Sequence, residues 1–152
     1  MTTRIEILTS GDATKAPEQI AQRFDDLSDP MNEIAAIMEG ATEDAFSEKR
    51  SPVTGEPWLA LSENDLKQNL KRVGGKMLQV SAGGLAASIA ADSGAFWAQI
   101  GSNKPYAAIY NFGGLPEMVP GPAAIDQRQY LGVSPGDETD ILAVLSNYFT
   151  EN

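Results

Sequence analysis

The clearest pattern of hydrophobic and polar positions is a helical stripe that follows Pro30. Apolar side chains three and four residues apart predict an amphipathic helix, and acidic side chains occupy the opposite face. The apolar set is Met31, Ile34, Met38, Ala41, Ala45 and Phe46, and the acidic set is Glu33, Glu39, Glu43, Asp44 and Glu48. We expect Asp29 to cap this helix, with Pro30 at its first position.

A period of two in the middle of the chain predicts a β-hairpin. Asp92-Ser93-Gly94 supplies the turn chemistry between its strands, since glycine reaches positive φ without steric penalty. The high alanine content leaves a helix over residues 85–91 as an alternative. The inward positions are Leu85, Ala87, Ile89 and Ala91 in the first strand and Phe96, Ala98 and Ile100 in the second.

Four further helical segments are predicted from apolar spacing and end signals. Pro105 opens a single helical turn that Gly113-Gly114 ends. The other three begin at Pro17, at the capping-box-like Ser62 and at the Ser134-Pro135-Gly136-Asp137 cap. Their apolar faces are Ile20, Phe24 and Leu27; Leu66, Leu70 and Val73, stopped by Gly74-Gly75; and Ile141, Leu142, Leu145, Tyr148 and Phe149. Asp137, Glu138 and Asp140 lie where the dipole of the last helix favours anions.

Short strands and loops complete the prediction. Strands are expected at Ile5, Ile7 and Leu8, at Met77–Ser81 and at Tyr130–Val133. Residues 50–61 read as a loop that presents Trp58, and residues 113–126 as an extended, Pro- and Gly-rich loop. The predicted fold is α+β, with a small antiparallel β-sheet packed against amphipathic helices and a C-terminal helix. We expect residues 1–152 to form a single domain, with residues 1–16 as an N-terminal arm or strand.

Composition narrows the function classes. Eleven Lys and Arg against 21 Asp and Glu give a net charge of −10, which argues against a general nucleic-acid binder. No apolar run approaches the roughly 20 residues of a membrane span. The N-terminal residues lack the apolar core of a signal peptide. These observations predict a protein of the cytoplasm with no membrane partner.

The residue types of the chain argue against catalytic activity. The chain has neither His nor Cys, which excludes the common triads, thiolate nucleophiles and imidazole metal sites. Gly74-Gly75-Lys76 lacks the spacing of a phosphate loop. Asp25, Asp26 and Asp29 could hold a hard cation, but a solvated helix end explains them better. We therefore expect no enzymatic activity, no cofactor and no metal.

Aromatic residues and one arginine are the candidates for an interface. Aromatic and arginine side chains concentrate at interface hot spots, although ordinary core packing is the alternative for each aromatic. Arg128 is the last cation of the chain, and we expect it to pair with a carboxylate, within or between subunits. The interface candidates are Trp58, Tyr106, Tyr110, Phe112, Arg128 and Tyr130. Trp97 is weighed alongside them.

Four sequence blocks follow one another over residues 46–150. They are Ser51-Pro52, Gly55, Trp58 and Leu61-Ser62; Gly84-Leu85 and Ser88-Ile89; Tyr106-Ala107, Ile109 and Phe112-Gly113-Gly114; and Arg128 with Tyr130–Ser134. In this order they resemble the phage virion morphogenesis (tail completion) family of Mu-like and related contractile-tailed phages. Two departures from the family pattern stand out: the usual His after Ile109 is Tyr110, and the proline-flanked arginine is Asp126-Gln127-Arg128-Gln129. If the family uses that His chemically, this chain cannot do so.

The resemblance implies a structural virion protein that completes or terminates the tail and joins it to the head at the neck, as a ring expected to be a hexamer. Its partners would be copies of itself, the tail tube or tail terminator, and the head–tail connector. DNA would pass through the lumen without specific binding, repelled by the acidic helix face. The protein would be assembled in the bacterial cytoplasm and reside in the virion.

Two alternatives remain open at this point. One is a monomeric protein-binding adaptor or assembly factor that is not retained in the virion. The other is a hydrolase that depends on Asp25 or Asp29 and a metal ion.

Overall fold

The computed structural model describes residues 1–6, 23–61, 63–68, 78–79, 84–115, 117 and 125–150. This part of the chain is an α+β arrangement of a three-stranded antiparallel sheet and helices, including a C-terminal helix, as the sequence predicts. The elements are β1 (Thr2–Glu6), α1 (Ser28–Glu48), α2 (Glu63–Gln68), a 3-10 turn (Ala86–Ser88), β2 (Ile89–Gly94), β3 (Trp97–Ser102), α3 (Ala107–Phe112) and α4 (Pro135–Thr150).

The sheet has the strand order β1-β3-β2, so β3 is central. Ile100 pairs with Thr3 on one side and with Ala91 on the other. Ala98, Ile100 and Ser102 are buried, whereas the alternate positions of β3 are half-buried. The period of two therefore sets which face of β3 meets the core.

The predicted hairpin exists, but its turn lies later than expected. β2 continues through Gly94, and the turn is Ala95–Phe96, because Gly94 pairs directly with Trp97. Residues 86–88 form a 3-10 turn instead of the start of the strand, and the hydroxyl of Ser88 donates to the carbonyl of Leu85 at 2.7 Å. The helical alternative is thus right for only three residues.

Helix α1 is the amphipathic helix that the sequence predicts. Its apolar stripe, from Met31 to Phe46, is buried, and the acidic set is exposed. The helix packs against β2, β3 and α4. The predicted cap at Asp29 is wrong, because the helix already begins at Ser28. The preceding Leu27 is buried and donates its N–H to the carbonyl of Ala95 at 3.0 Å, which ties the helix to the hairpin turn.

Helix α4 begins with the reciprocal cap that the sequence predicts. The Ser134 N–H donates to Oδ2 of Asp137 at 2.8 Å, and the Asp137 N–H donates to Oγ of Ser134 at 3.1 Å. Near the other end, Phe149 stacks on Phe24 with ring centroids 4.5 Å apart. Of the predicted apolar face, Ile141 is buried but Leu142 is 66% exposed.

Two predicted strands are wrong where they can be compared. Leu78 has φ of 60° and lies in a turn, so it does not belong to a strand. Residues 130–133 form no strand, because the N–H groups of Tyr130 and Leu131 bond to a side chain and Gly132 has φ of 143°. The helical turn before Gly113 and the helix at 63–68 are confirmed.

Several predictions lie outside the described residues: Ile7 and Leu8, the start of the Pro17 helix, the Ser62 cap, Leu70 to Met77, residues 80 and 81, and the middle of the 113–126 loop.

Candidate interaction site

Asn111 organises the region where α3 meets the segment before α4. It is 1% exposed, and its side-chain oxygen accepts the N–H groups of Tyr130 at 3.1 Å and of Leu131 at 3.0 Å. These two bonds replace the partners that a neighbouring strand would supply. Buried backbone N–H groups need such acceptors. The side-chain amide of Asn111 therefore fixes the path of the backbone at Tyr130 and Leu131.

Tyr130 is fully buried beside Asn111. Its hydroxyl donates to the carbonyl of Ala107 at 2.8 Å, and its ring stacks on Phe46 with centroids 5.2 Å apart. Burial raises the pKa of the Tyr130 hydroxyl to about 12. The phenol therefore stays protonated and acts as a structural hydrogen-bond donor.

The loop that carries Trp58 is fastened to the same segment. The Trp58 indole N–H donates to the carbonyl of Gln129 at 2.8 Å, and the Ser51 hydroxyl donates to Oε1 of Gln129, also at 2.8 Å. The Trp58 ring meets Phe46 edge-on at 5.9 Å. Three of the four sequence blocks thus meet around residues 128–131.

Arg128 lies in this region with few partners. Its backbone N–H donates to the carbonyl of Tyr110 at 2.8 Å. The residue is 6% exposed, and its Nη2 donates to the carbonyl of Leu59 at 3.4 Å. The buried Nε has no hydrogen-bond partner among the described residues. No ion pair of the described residues includes Arg128. The expected pairing with a carboxylate of the same subunit is therefore absent from that part of the chain.

Large apolar side chains are exposed in the segments next to Arg128. Five of the six exposed large hydrophobic residues of the described chain belong to residues 53–59 and 106–115. They are Val53, Leu59, Tyr106, Phe112 and Leu115, with exposures between 40% and 64%. Clustered exposed apolar surface marks candidate contact sites.

The structure divides the six interface candidates into two groups. Trp58, Arg128 and Tyr130 are interior side chains with at most 8% exposure, so they offer a partner little surface as the chain stands. Tyr106 and Phe112 are exposed, and Tyr110 is half-buried with its ring edge-on to Tyr106 at 6.0 Å. Trp97, the aromatic residue named beside these candidates, is half-buried beneath the guanidinium of Arg4, which lies 4.9 Å from its ring centroid.

Sequence reasoning missed Asn111, Gln129, Leu59 and Leu115. A lone Asn in a short helix and a lone Gln in a loop carry no local signal, because their partners lie 16 to 78 residues away. Leu59 and Leu115 are hydrophobic, and the sequence alone does not distinguish an exposed leucine in a loop from a buried one.

In the acidic group Asp25, Asp26 and Asp29, the side chain of Asp26 bonds to Ser28, the first residue of α1. Oδ1 of Asp26 accepts from the hydroxyl of Ser28 and from its backbone N–H, and these two bonds lower the pKa of the Asp26 carboxyl. Among the described residues, no group of three or more His, Cys, Asp or Glu side chains could hold a metal ion.

A cavity of about 320 Å³ lies between α1 and the start of β2. Glu39, Glu43 and Lys49 contribute its charged lining, and Gln79 crosses to donate to the carbonyl of Phe46 at 2.9 Å. The mixed charges and the internally bonded amide give this cavity no clear ligand chemistry.

Comparison with known proteins shows which family the chain belongs to. Residues 11–150 match the phage virion morphogenesis family. The chain belongs to this family. The resemblance of the four sequence blocks is thereby confirmed, and the protein has a structural or assembly role in making phage particles.

Three curated relatives cover most of the chain. It is 41% identical over 110 residues to "Putative capsid assembly protein G" of Escherichia phage Mu, which is 71% of this chain and 70% of that protein. It is 35% identical over 146 residues to Mu-like prophage FluMu G protein 2 of Haemophilus influenzae, covering 95% and 94% of the two chains. FluMu G protein 1 of the same organism is 30% identical over 141 residues, 87% and 90% of the two.

No solved structure matches this member of the family. Within its described residues, no helix has the length and apolar character needed to cross a bilayer.

Proposed function

We propose that this protein is a ring-forming subunit that completes or terminates the phage tail and joins it to the head at the neck. The observation that carries the proposal is the match of residues 11–150 to the virion morphogenesis family. The relative in phage Mu is named for capsid assembly, which suits a protein that acts where heads and tails meet.

The surface of the chain supports self-association. Exposed large apolar side chains concentrate in residues 53–59 and 106–115, next to the poorly bonded Arg128. A ring subunit needs two complementary faces that repeat until the ring closes, and a hexamer is the order we propose. The further partners are the tail tube or tail terminator and the head–tail connector.

The acidic face of α1 suits a ring lumen. Glu39, Glu43 and Asp44 are exposed, and the whole chain carries a net charge of −10. Phosphates of passing DNA would be repelled by such a wall, so DNA would move through without binding. The protein would be assembled in the bacterial cytoplasm and remain at the neck of the virion.

The proposed role is non-enzymatic and requires no cofactor. The sequence lacks His and Cys, and Asp26 of the acidic cluster is engaged by Ser28. Activity at Asp25 or Asp29 would therefore have to arise without the usual bases and nucleophiles.

A second candidate is a monomeric assembly factor that leaves before the virion is complete. It is favoured by the name of the phage Mu relative, which refers to assembly of the capsid.

Electron microscopy of lysates tests the proposal. A phage that lacks this gene should accumulate separate filled heads and unjoined tails, and purified protein added back should join them. Antibody labelling of the joined particles should then mark the neck. Joined particles that carry no label would favour the transient assembly factor, and normal virions without the gene would contradict both.

A further inference from the structure

Strand β1 has an unpaired backbone edge. Met1 and Ser102 exchange both backbone bonds, at 3.2 and 3.0 Å, in continuation of the register that pairs β1 with β3. Bonding directions alternate along an antiparallel strand, so Thr2, Arg4 and Glu6 direct their N–H and C=O groups away from β3. No described residue bonds to these outer groups. A further strand could therefore pair with β1.

The opposite edge of the sheet is protected by a side chain. The same alternation places the N–H of Ser93 on the outer side of β2, and Oδ1 of the exposed Asp92 accepts it at 2.9 Å. A charged side chain on an edge strand hinders the addition of another strand. The cation of β1 gives no such protection, because the guanidinium of Arg4 lies over the ring of Trp97 in the neighbouring strand β3.

The side chains of β1 present a cation, an apolar residue and an anion in succession. Arg4 and Glu6 are 43% and 50% exposed, and the 3.6 Å ion pair between them is weak because water surrounds it. Ile5 packs against the core but is only half-buried, since α1 packs against β2 and β3 and β1 lies at the margin of the sheet. The segment Arg4-Ile5-Glu6 is thus complementary in charge to a second copy of itself that runs in the opposite direction.

We propose that β1 of a second copy of this chain pairs antiparallel with β1 about a two-fold axis at Ile5. Arg4 then lies opposite Glu6 of the other copy, and Glu6 opposite the Arg4 of that copy, so two pairs of opposite charge form across the strands. This register also joins the outer backbone groups of each strand to those of the other. The two Ile5 residues face each other as a non-hydrogen-bonded pair, where side chains lie closest.

The inference goes beyond the proposed function. A two-fold contact uses the same residues on both copies and closes at two, so it builds no ring by itself. Its effect on the free chain is to cover an unpaired backbone edge, which would otherwise be a template for aggregation. The β1 contact and the ring can therefore be tested separately.

Disulfide trapping tests the two-fold axis, since the chain contains no cysteine. The Cα atoms of a non-hydrogen-bonded antiparallel pair are about 4.5 Å apart, which a disulfide spans, so Ile5→Cys should form a covalent dimer under mild oxidation. Thr3→Cys is the matched control, because Thr3 is also half-buried and lies on the same face of β1. In the proposed register the two Thr3 residues are offset by about 14 Å along the strands. Thr3→Cys should therefore crosslink more slowly than Ile5→Cys by about tenfold or more.

Charge reversal tests the register. Arg4→Glu or Glu6→Arg, each added to the Ile5→Cys chain, places like charges opposite each other and should slow dimer formation about tenfold. A mixture of these two variants restores opposite charges at both pairs, so the mixed dimer should form about tenfold faster than either like dimer. Glu33→Arg, on the exposed face of α1, is the control for a charge change elsewhere and should leave crosslinking unchanged.

Hydrogen exchange detects the contact in the unmodified protein. The outer amides of Arg4 and Glu6 gain acceptors on pairing, so their exchange should slow by about tenfold or more between dilute and concentrated solution. The Thr3 and Ile5 amides already bond to β3 and should change less. Exchange that is independent of concentration, or equal crosslinking of Ile5→Cys and Thr3→Cys, overturns the inference, as does crosslinking that neither charge reversal alters. Negative-stain images of the Arg4→Glu protein separate the two proposals, because rings that persist there support the proposed function whatever the result for β1.

Discussion

The side-chain oxygen of Asn111 accepts the backbone N–H of Tyr130 at 3.1 Å, in a place where neither residue is exposed to solvent. The same oxygen also accepts a hydrogen bond from the N–H of Leu131. The Asn111 side chain thus provides the acceptor that a neighbouring β-strand would otherwise supply. Arg128 lies two residues before Tyr130 and bonds through its N–H to Tyr110 of α3. Asn111 therefore helps to set the position of Arg128.

Replacing Asn111 by Ala should lower the free energy of unfolding by about 2–4 kcal/mol, because two buried N–H groups lose their acceptor. Urea denaturation measures the change. Asn103→Ala, at an exposed position, is the control and should stay within about 0.5 kcal/mol. Similar losses in the two variants would show that the Asn111 bonds contribute little.

Tyr130→Phe should destabilise the protein by about 1–2 kcal/mol at neutral pH, because the carbonyl of Ala107 loses its donor. The exposed Tyr106→Phe is the matched control. Equal stability of Tyr130→Phe and the unmodified protein in urea would contradict a structural role for the hydroxyl.

The same tyrosine predicts a loss of stability in alkali. Its pKa is raised from 10.0 to about 12 in the folded protein, so between these values the unfolded chain releases a proton that the folded chain keeps. Stability from this group is complete below pH 10 and decreases as the pH rises toward 12, by about 1.4 kcal/mol per pH unit. In urea titrations, Tyr130→Phe should lose less stability than the unmodified protein between pH 9.5 and 11.5. Parallel losses would contradict the prediction.

Much of the fold could be predicted because its signals are local. The stripe from Met31 to Phe46 repeats at helical spacing, and Ser134 and Asp137 carry their cap within four residues. The hairpin followed from alternation, but its turn moved to Ala95–Phe96 because Gly94 pairs with Trp97 across the strands. Local turn propensity at Asp92–Gly94 could not reveal that pairing.

The candidate interaction site was less predictable, because residues far apart in the sequence form it. Tyr130–Val133 is a short, mostly apolar run that predicts a strand, yet the N–H groups of Tyr130 and Leu131 donate to the side chain of Asn111, about 20 residues earlier. Arg128 stood out as an isolated cation, but the sequence did not reveal that it is buried or that its guanidinium contacts the carbonyl of Leu59, 69 residues earlier. Leu142 fits the apolar spacing of α4 and is nevertheless exposed, since no described element covers it.

Replacing glycine by alanine should lower the stability of the protein at Gly101 and raise it at Gly40. A Cβ at Gly101 would lie 2.5 Å from the carbonyl oxygen of Met1, so Gly101→Ala should displace β1 and lower stability by about 1–3 kcal/mol. A Cβ at Gly40 meets nothing within 4 Å, and Gly40→Ala in α1 should raise stability by about 0.5–1 kcal/mol. Thermal denaturation measures whether each variant is more or less stable than the unmodified protein. Hydrogen exchange of the Thr2–Glu6 amides should accelerate only in Gly101→Ala. Slow exchange there would show that β1 tolerates the methyl group.

Neutralising the acidic face of α1 tests the proposal that this face lines the ring lumen. Glu39→Gln, Glu43→Gln and Asp44→Asn together should slow DNA ejection while particles still assemble, because phosphates would no longer be repelled. Ejection is followed by dye fluorescence from released DNA. Glu56→Gln, Glu117→Gln and Asp140→Asn together serve as the charge control, because they remove three carboxylates at exposed positions outside α1. Unchanged ejection in the triple variant would contradict the placement of this face in the lumen.

The most direct measurement is light scattering coupled to gel filtration over a range of concentrations, with negative-stain images of any large peak. The same measurement is then made with purified tails added. We expect closed rings, formed by the free protein or on the tail end. A protein that stays monomeric at every concentration and does not bind tails would contradict a ring at the neck.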